Sequence, residues 1–283
     1  MTAFDPRVTP ARPDLAARHL EGTVPAARFV DGMARAVVEP TAPLRAAPSP
    51  DAPLLTEALM GERVIVYEAT EEGFAWGQLE RDGYVGWLPA GALREPGPAP
   101  THRVSALRTL VFPGPSIKLP PVAALPFGAR IAVAGTADRF ALTHDGGHVP
   151  LVHVRPVAEP ESDFVAVAER FLGAPYLWGG KTSLGLDCSG LVQVALIACG
   201  VACPRDSDMQ ERALGAPVAA AADGSGLKRG DLVFWKGHVA IVRDPATLLH
   251  ANAHHMAVAL EPLAGAIVRI RAGGSEVTSV KRL

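Results

Sequence analysis

Leu186-Asp187-Cys188-Ser189-Gly190-Leu191-Val192-Gln193-Val194-Ala195-Leu196-Ile197-Ala198-Cys199-Gly200 reads as a buried helix with a cysteine in its first turn. Asp187 is a good N-cap residue, the apolar run from Leu191 to Ala198 calls for burial, and Gly200 supplies a stop just past the last turn. Cys188 therefore falls at the positive end of the helix. Unpaired backbone N–H groups and the macrodipole there favour a thiolate, so the expectation is a lowered thiol pKa. Asp187 works against it, since a carboxylate beside the sulfur favours the thiol. A lone cysteine near a helix start is more often a small buried hydrophobe than a nucleophile, and two later histidines carry the chemical reading.

A cysteine nucleophile needs a base within hydrogen-bond reach, and the base works better when a third group fixes its tautomer and orientation. Gly230-Asp231-Leu232-Val233-Phe234-Trp235, His238-Val239-Ala240-Ile241-Val242 and Thr247-Leu248-Leu249-His250-Ala251 are short apolar segments separated by Lys236-Gly237 and Asp244-Pro245. They read as adjacent antiparallel strands. If so, His238 and His250 lie near one edge of the sheet, His238 as base and His250 as orienter; either alone could equally be a satisfied, partly buried histidine. His254 and His255 read as surface or loop residues.

The chain has 283 residues, and 27 Lys plus Arg against 29 Asp plus Glu give a net charge of −2. That length suits about two domains, or a large domain with small ones attached. No basic stripe marks a nucleic-acid partner. Met1-Thr2-Ala3-Phe4-Asp5-Pro6-Arg7 is interrupted by charge and proline before an apolar stretch can form, which argues against a secretory signal. The longest near-continuous apolar run, 191 to 203, is short of the roughly 20 residues a membrane-spanning helix needs. Three cysteines make a disulfide framework improbable and suit a reducing cytoplasm. Cys188 and Cys199 on one helix would stand roughly 16 Å apart, too far for a bridge. Cys203 has no partner at metal-ligand spacing, so Cys199 and Cys203 read as core or loop residues and no metal is expected.

Residues 1–30 read as an N-terminal arm, with Asp14 to Leu20 capable of a short helix. From 31 to 96 short β segments alternate with turns: Ala36–Val38, Leu54–Leu59, Arg63–Tyr67, Phe74–Leu79 and Tyr84–Leu88. Arg81-Asp82-Gly83 is a hairpin signal, because Asp-Gly accepts positive φ. Pro96-Gly97-Pro98-Ala99-Pro100 is a stiff linker, and the same grammar recurs over 101–157. Leu125-Pro126-Phe127-Gly128-Ala129-Arg130-Ile131-Ala132-Val133 echoes Leu59-Met60-Gly61-Glu62-Arg63-Val64-Ile65-Val66, a diverged internal repeat of one small barrel. From Glu161 the period is helical, with Phe164, Val165, Ala168 and Phe171 on one face and Gly173-Ala174-Pro175 as the stop.

Gly83-Tyr84-Val85-Gly86-Trp87 resembles bacterial SH3-like domains, as does its weaker second copy. Residues 159–283 resemble the NlpC family of papain-like cysteine peptidases, which process bacterial cell-wall peptides. Pro175-Tyr176-Leu177-Trp178-Gly179-Gly180, the Asp187-Cys188-Ser189-Gly190 run, Pro204-Arg205-Asp206-Ser207, Gly230-Asp231-Leu232, Gly237-His238-Val239-Ala240-Ile241 and His250-Ala251 carry the likeness in the family's order. It implies an α+β chain: two small all-β SH3-like barrels before a papain-like domain with a central antiparallel sheet. It also implies Cys188 as nucleophile, His238 as base and His250 as third catalytic residue, with no cofactor.

Tandem SH3-like units in front resemble the γ-D-glutamyl-L-diamino acid endopeptidases, which cut murein stem peptides bearing a free N-terminal L-Ala. In that likeness Tyr84 and Glu57, with Glu62 as rival acid, hold the substrate amine, and Tyr176, Asp187, Ser189 and Ser207 line the L-Ala and D-Glu pocket. An ammonium leaving water needs charge-assisted hydrogen bonds; Asp187 and an acid from the neighbouring domain would form such a clamp, and amine binding would offset the effect of Asp187 on the thiol. Without an export signal, the expected setting is cytoplasmic recycling of imported peptides. The same Cys/His apparatus could instead serve an amidase or acyltransferase, or the chain could bind cell-wall peptide without turnover.

Overall fold

A computed structural model describes residues 4–219 and 225–283, so the start of the N-terminal stretch, Met1–Ala3, lies outside the described residues. The chain divides into two compact units, Met1–Glu159 and Pro160–Leu283.

In the first unit a seven-stranded sheet wraps one core. Its strands run in the spatial order Leu54–Leu59, Thr41–Arg45, Val85–Pro89, Phe74–Leu79, Arg63–Ala69, Met33–Val37 and Leu93–Arg94. Alternate residues point inward, so Leu44, Ala58, Val64, Val66, Leu79 and Leu88 form the core. The strand Thr41–Arg45 was not expected, because Pro43 interrupts it. Pro43 pairs with Glu57 on one side, while only Arg45 bridges to Trp87 on the other, so the proline costs the ladder little.

The N-terminal segment differs from the short helix expected over Asp14–Leu20. Ala16–Ala17 is extended and pairs in parallel with Phe29–Val30, and only Arg18–Leu20 turns as a 3-10 helix. Tertiary burial overrides local propensity there: Leu15, Ala16 and Ala17 are fully buried, and Leu15 packs with Trp76 and Val85. Arg12 lies over the rings of Trp76 and Trp87, 4.4 and 4.9 Å from their centroids, and pairs with Glu68 and Asp14.

Over 102–156, where a second copy is expected, the chain forms three small antiparallel sheets, packed around Val104, Leu125, Ala129, Ala141, Val149 and Val154. Gly61 and Gly128, matched by the repeat, share positive φ values of 79° and 85°, as its two tight turns require. The Arg130 N–H donates to the Met60 carbonyl across these turns.

The second unit is a six-stranded antiparallel sheet flanked by helices. Its strand order is Ala216–Pro217, Val277–Arg282, Leu232–Trp235, His238–Asp244, Thr247–Asn252 and Ala257–Pro262. The helices are α1 (Phe164–Glu169), α2 (Cys188–Ala198), α3 (Ser207–Ala213) and α4 (Leu263–Ala272). Helix α2 is apolar all round and buried over nearly its whole length, packing on the adjacent interior strands His238–Asp244 and Thr247–Asn252. The expected helix after Glu161 is shorter, starting at its Asp163 cap, whose carboxylate accepts from the Val165 and Ala166 N–H groups. Among the described residues no helix is long and apolar enough to cross a membrane.

Candidate active site

Asp187 caps α2 as its sequence suggests: its Oδ1 accepts from the Gly190 N–H at 2.7 Å. Its other oxygen accepts from the Gly179 N–H at 2.8 Å, which ties the Tyr176–Gly180 loop to the helix start. The approach is close enough that a Cβ at Gly190 would stand 2.4 Å from the Gly180 carbonyl oxygen.

Arg205 completes this corner. It is 1% exposed and grips Asp187 with both guanidinium arms, at 2.9 and 2.7 Å. It also donates to Ser189 Oγ at 2.9 Å, and Ser189 Oγ donates in turn to Asp187 Oδ1. Gln210 of α3, fully buried, donates to the carbonyls of Ser189 and Pro204, fixing the Pro204–Ser207 segment against α2. Ser207 opens α3 and is nearly buried. The motif was visible in the sequence; Arg205's pairing with a residue 18 positions away was not.

Cys188 is buried at the first position of α2. The expected lowering of its pKa is reversed: burial, then the Asp187 carboxylate, pushes the thiol up to about 12, while backbone hydrogen bonding from Val239 and Ser189 and the charge of Arg205 oppose the rise. Desolvation penalises an anion more than helix-end N–H groups reward it here. Arg205 offsets only part of the effect of Asp187 on the thiol. Tyr176, half-buried near the thiol, has its hydroxyl held up to about 12, chiefly by burial.

The Val239 backbone places the sulfur at the start of the His238 strand. Gly237, with φ of 75°, closes the Lys236-Gly237 turn between paired residues Trp235 and His238, so His238 stands at the strand's first position with its ring 5.7 Å from Trp235. The next strand is antiparallel in the register Ile241 opposite Leu249. Ala240 therefore faces His250, and His238 becomes the diagonal neighbour of His250 on the same face. His238 Nε2 lies 2.9 Å from His250 Nδ1.

The row continues on a residue the sequence reading missed. Leu248 pairs with Glu261 on the following strand, putting Glu261 diagonally beside His250 with its Oε2 3.0 Å from His250 Nε2. Arg269 of α4 donates to both Glu261 oxygens at 2.8 Å. The apolar-rich Ala257–Pro262 segment gave no chemical signal; only strand alternation could have shown that Glu261 shares the face of His250.

Burial first, then the nearby His250 and Arg269, hold His238 down to about 3. Burial holds His250 down to about 4 against the pull of Glu261. Arg269 holds Glu261 down to about 2. At neutral pH the row is thus a neutral thiol, two neutral imidazoles and a carboxylate paired with a guanidinium. His250, exposed His255 and Glu261 offer ligand atoms within 4.8 Å of one another, but Arg269 already occupies both oxygens of Glu261, which disfavours a cation there. His254 and His255 are exposed on the turn after Asn252, as expected.

The expected residues on the first barrel stand apart from this set in the chain. Tyr84 is 3% exposed and belongs to the barrel core; Glu57 lies on the strand Leu54–Leu59. Glu62 is buried, accepting from Arg81 at 2.8 Å and from the Leu59 N–H at 2.9 Å. All three cysteines are free.

Residues 173–272 match the model of the NlpC/P60 family, and residues 44–93 match that of the bacterial dipeptidyl-peptidase Sh3 domain. The chain is similar to a gamma-D-glutamyl-L-lysine dipeptidyl-peptidase of Bacillus subtilis (strain 168), 30% identical over 69% of this chain and 71% of that protein. It is 26% identical to a protein of the same name from Bacillus cereus (strain ATCC 10987 / NRS 248), over 74% of this chain and 71% of the relative. The fold matches the crystal structure of an NlpC/P60 family protein from Bacillus cereus ATCC 10987 with a TM-score of 0.71, covering 88% of this chain and 99% of the other at 20% identity. A helix-borne cysteine beside a strand-borne histidine pair, on a mixed α/β fold preceded by an SH3 domain, makes this chain a member of the NlpC/P60 family of cysteine peptidases.

Proposed function

We propose that this peptidase hydrolyses the bond between the γ-carboxyl of D-Glu and the diamino acid in murein stem peptides with a free N-terminal L-Ala, and that it does so in cytoplasmic recycling of those peptides. The observation that carries the chemistry is Cys188 at the start of α2, with the hydrogen-bonded His238–His250 pair on the strands beside it. The names of the two Bacillus relatives support the bond chosen.

His238 Nε2 is committed to His250, so Nδ1 is the nitrogen that takes the thiol proton. With both groups neutral at rest, transfer accompanies attack of the sulfur on the γ-carbonyl, and no thiolate is stored beforehand. Backbone N–H groups at the start of α2 stabilise the oxyanion. The imidazolium of His238 then protonates the departing amine, and the neutral ring activates the water that hydrolyses the thioester. Tyr176, Asp187, Ser189 and Ser207 line the L-Ala and D-Glu subsites in this reading. Asp187 already accepts five protein hydrogen bonds, so a substrate amine would share a bonded oxygen there.

The test is mass spectrometry of L-Ala-γ-D-Glu-diaminopimelate incubated with the protein, beside its N-acetylated form and the Cys188→Ala variant. Release of L-Ala-D-Glu only from the free-amine peptide, and only with Cys188, is expected. Equal cleavage of the acetylated peptide would discard amine recognition, and cleavage of neither would discard the substrate.

A further inference from the structure

The row His238, His250, Glu261 extends past the groups that the proposed reaction uses and ends on α4. We infer that Glu261, clamped by Arg269, is a positioning residue: it fixes the protons of the His250–His238 pair so that His238 presents a bare Nδ1 to Cys188. The inference deepens the proposed thiol chemistry and rests on it.

A neutral imidazole carries a single N–H, and an ionised carboxylate only accepts. Two contacts of 2.9 and 3.0 Å join the row, and each must contain one hydrogen. With Glu261 anionic beneath Arg269, His250 must carry its proton on Nε2. Its Nδ1 is then an acceptor, His238 must place its own proton on Nε2, and His238 Nδ1 is left as a lone pair. The opposite chain is equally well formed between the rings alone: His250 Nδ1–H donating to His238 Nε2 would leave His238 with Nδ1–H, unable to accept a thiol proton. The carboxylate is what separates these two chains.

The placement favours a fixed rather than a mobile contact. Glu261 is 8% exposed and His250 1%, strand pairing sets their diagonal, and both Arg269 bonds measure 2.8 Å. Other charged or titratable groups acting on the row are His255 from the turn after the His250 strand, and Asp187 and Arg205 beside the thiol.

Substitution separates positioning from bulk structure because the more conservative change should be the worse one. In Glu261→Gln, Arg269 retains the amide oxygen and the NH2 group faces His250 Nε2, imposing the inverted chain. Alkylation of Cys188 by iodoacetamide at pH 7, which needs no substrate, should slow by about 100-fold or more; a wrong tautomer costs a serine protease roughly 10⁴ in kcat. Glu261→Ala removes the bias without inverting it, and should slow alkylation less than about 10-fold. Peptide kcat should follow the same order, and thermal melts check that each variant folds. Nitrogen-15 spectra of the unaltered protein need no variant: both His238 and His250 should titrate as Nε2–H tautomers. Alkylation unchanged in Glu261→Gln, a greater loss in Glu261→Ala, or His238 found as Nδ1–H would overturn the inference. Should the unaltered protein leave the peptide intact while alkylation follows the stated order, the substrate reading fails and Glu261 keeps its role.

Discussion

Arg205→Met would leave the Asp187 carboxylate buried beside the Cys188 thiol without its cation. Arg205 is 1% exposed, Asp187 7%, and the pair shares bonds of 2.7 and 2.9 Å. Removing one partner of such a buried pair costs about 3–5 kcal/mol. Gly179, Gly190 and the Ser189 hydroxyl still donate to the carboxylate, which places the expected loss near the lower end, about 3 kcal/mol. The assay is urea unfolding of Arg205→Met, Asp187→Asn and the double variant. Asp187→Asn keeps a cap acceptor but strands the guanidinium, so it should cost a similar amount. The double variant removes both charges and should cost about as much as either single change, short of their sum. The thiol should also alkylate more slowly in Arg205→Met, because the charge of Arg205 holds its pKa down. A loss under about 0.5 kcal/mol for Arg205→Met, or strict additivity in the double variant, would refute the reasoning.

The histidine pair predicts acid sensitivity. His250 and His238 are held to about 4 and about 3, below the ordinary 6.5 that the unfolded chain regains, so between pH 6.5 and 4 the unfolded state binds more protons and stability falls as pH falls. The slope approaches roughly 1.4 kcal/mol per pH unit for buried His250 and less for the partly exposed His238. Denaturant midpoints over pH 4–7 check this, with a shallower slope in His250→Asn; a flat profile would contradict it. Gly190→Ala presses a methyl onto the Gly180 carbonyl, which is backbone and cannot swing aside; a loss of about 1–3 kcal/mol with reduced turnover is expected in melts and peptide assays.

The helix of Cys188 and the strands of His238 and His250 were legible because cap, apolar run and turn residues agree locally. Cys188 and His238 also open their elements, while His250 lies inside its strand, at the diagonal position that the antiparallel register sets. Thr41–Arg45 was hidden by a proline that only the sheet's one-sided pairing makes tolerable. The arm's extended Ala16–Ala17 depends on the Trp76 surface it covers, which local propensity does not encode. Glu261 and Arg205 act through partners on other elements, and nothing in their spacing announces those pairs. The direction of the thiol's pKa shift failed for a related reason: a helix end is readable from sequence, whereas full desolvation is a property of the packed molecule.

The arm also changes what counts as the first barrel. Arg12, wedged against two indole rings, and Leu15 beneath them make the barrel a host whose guest is its own upstream chain. The family match, residues 44–93, begins midway along one strand and omits Met33–Val37, which pairs with both Arg63–Ala69 and Leu93–Arg94. A fragment cut at those limits would open the sheet and bare Trp76 and Trp87. The portable module therefore begins with the arm, and grafting the matched residues alone would transplant a barrel without its closure or its occupant.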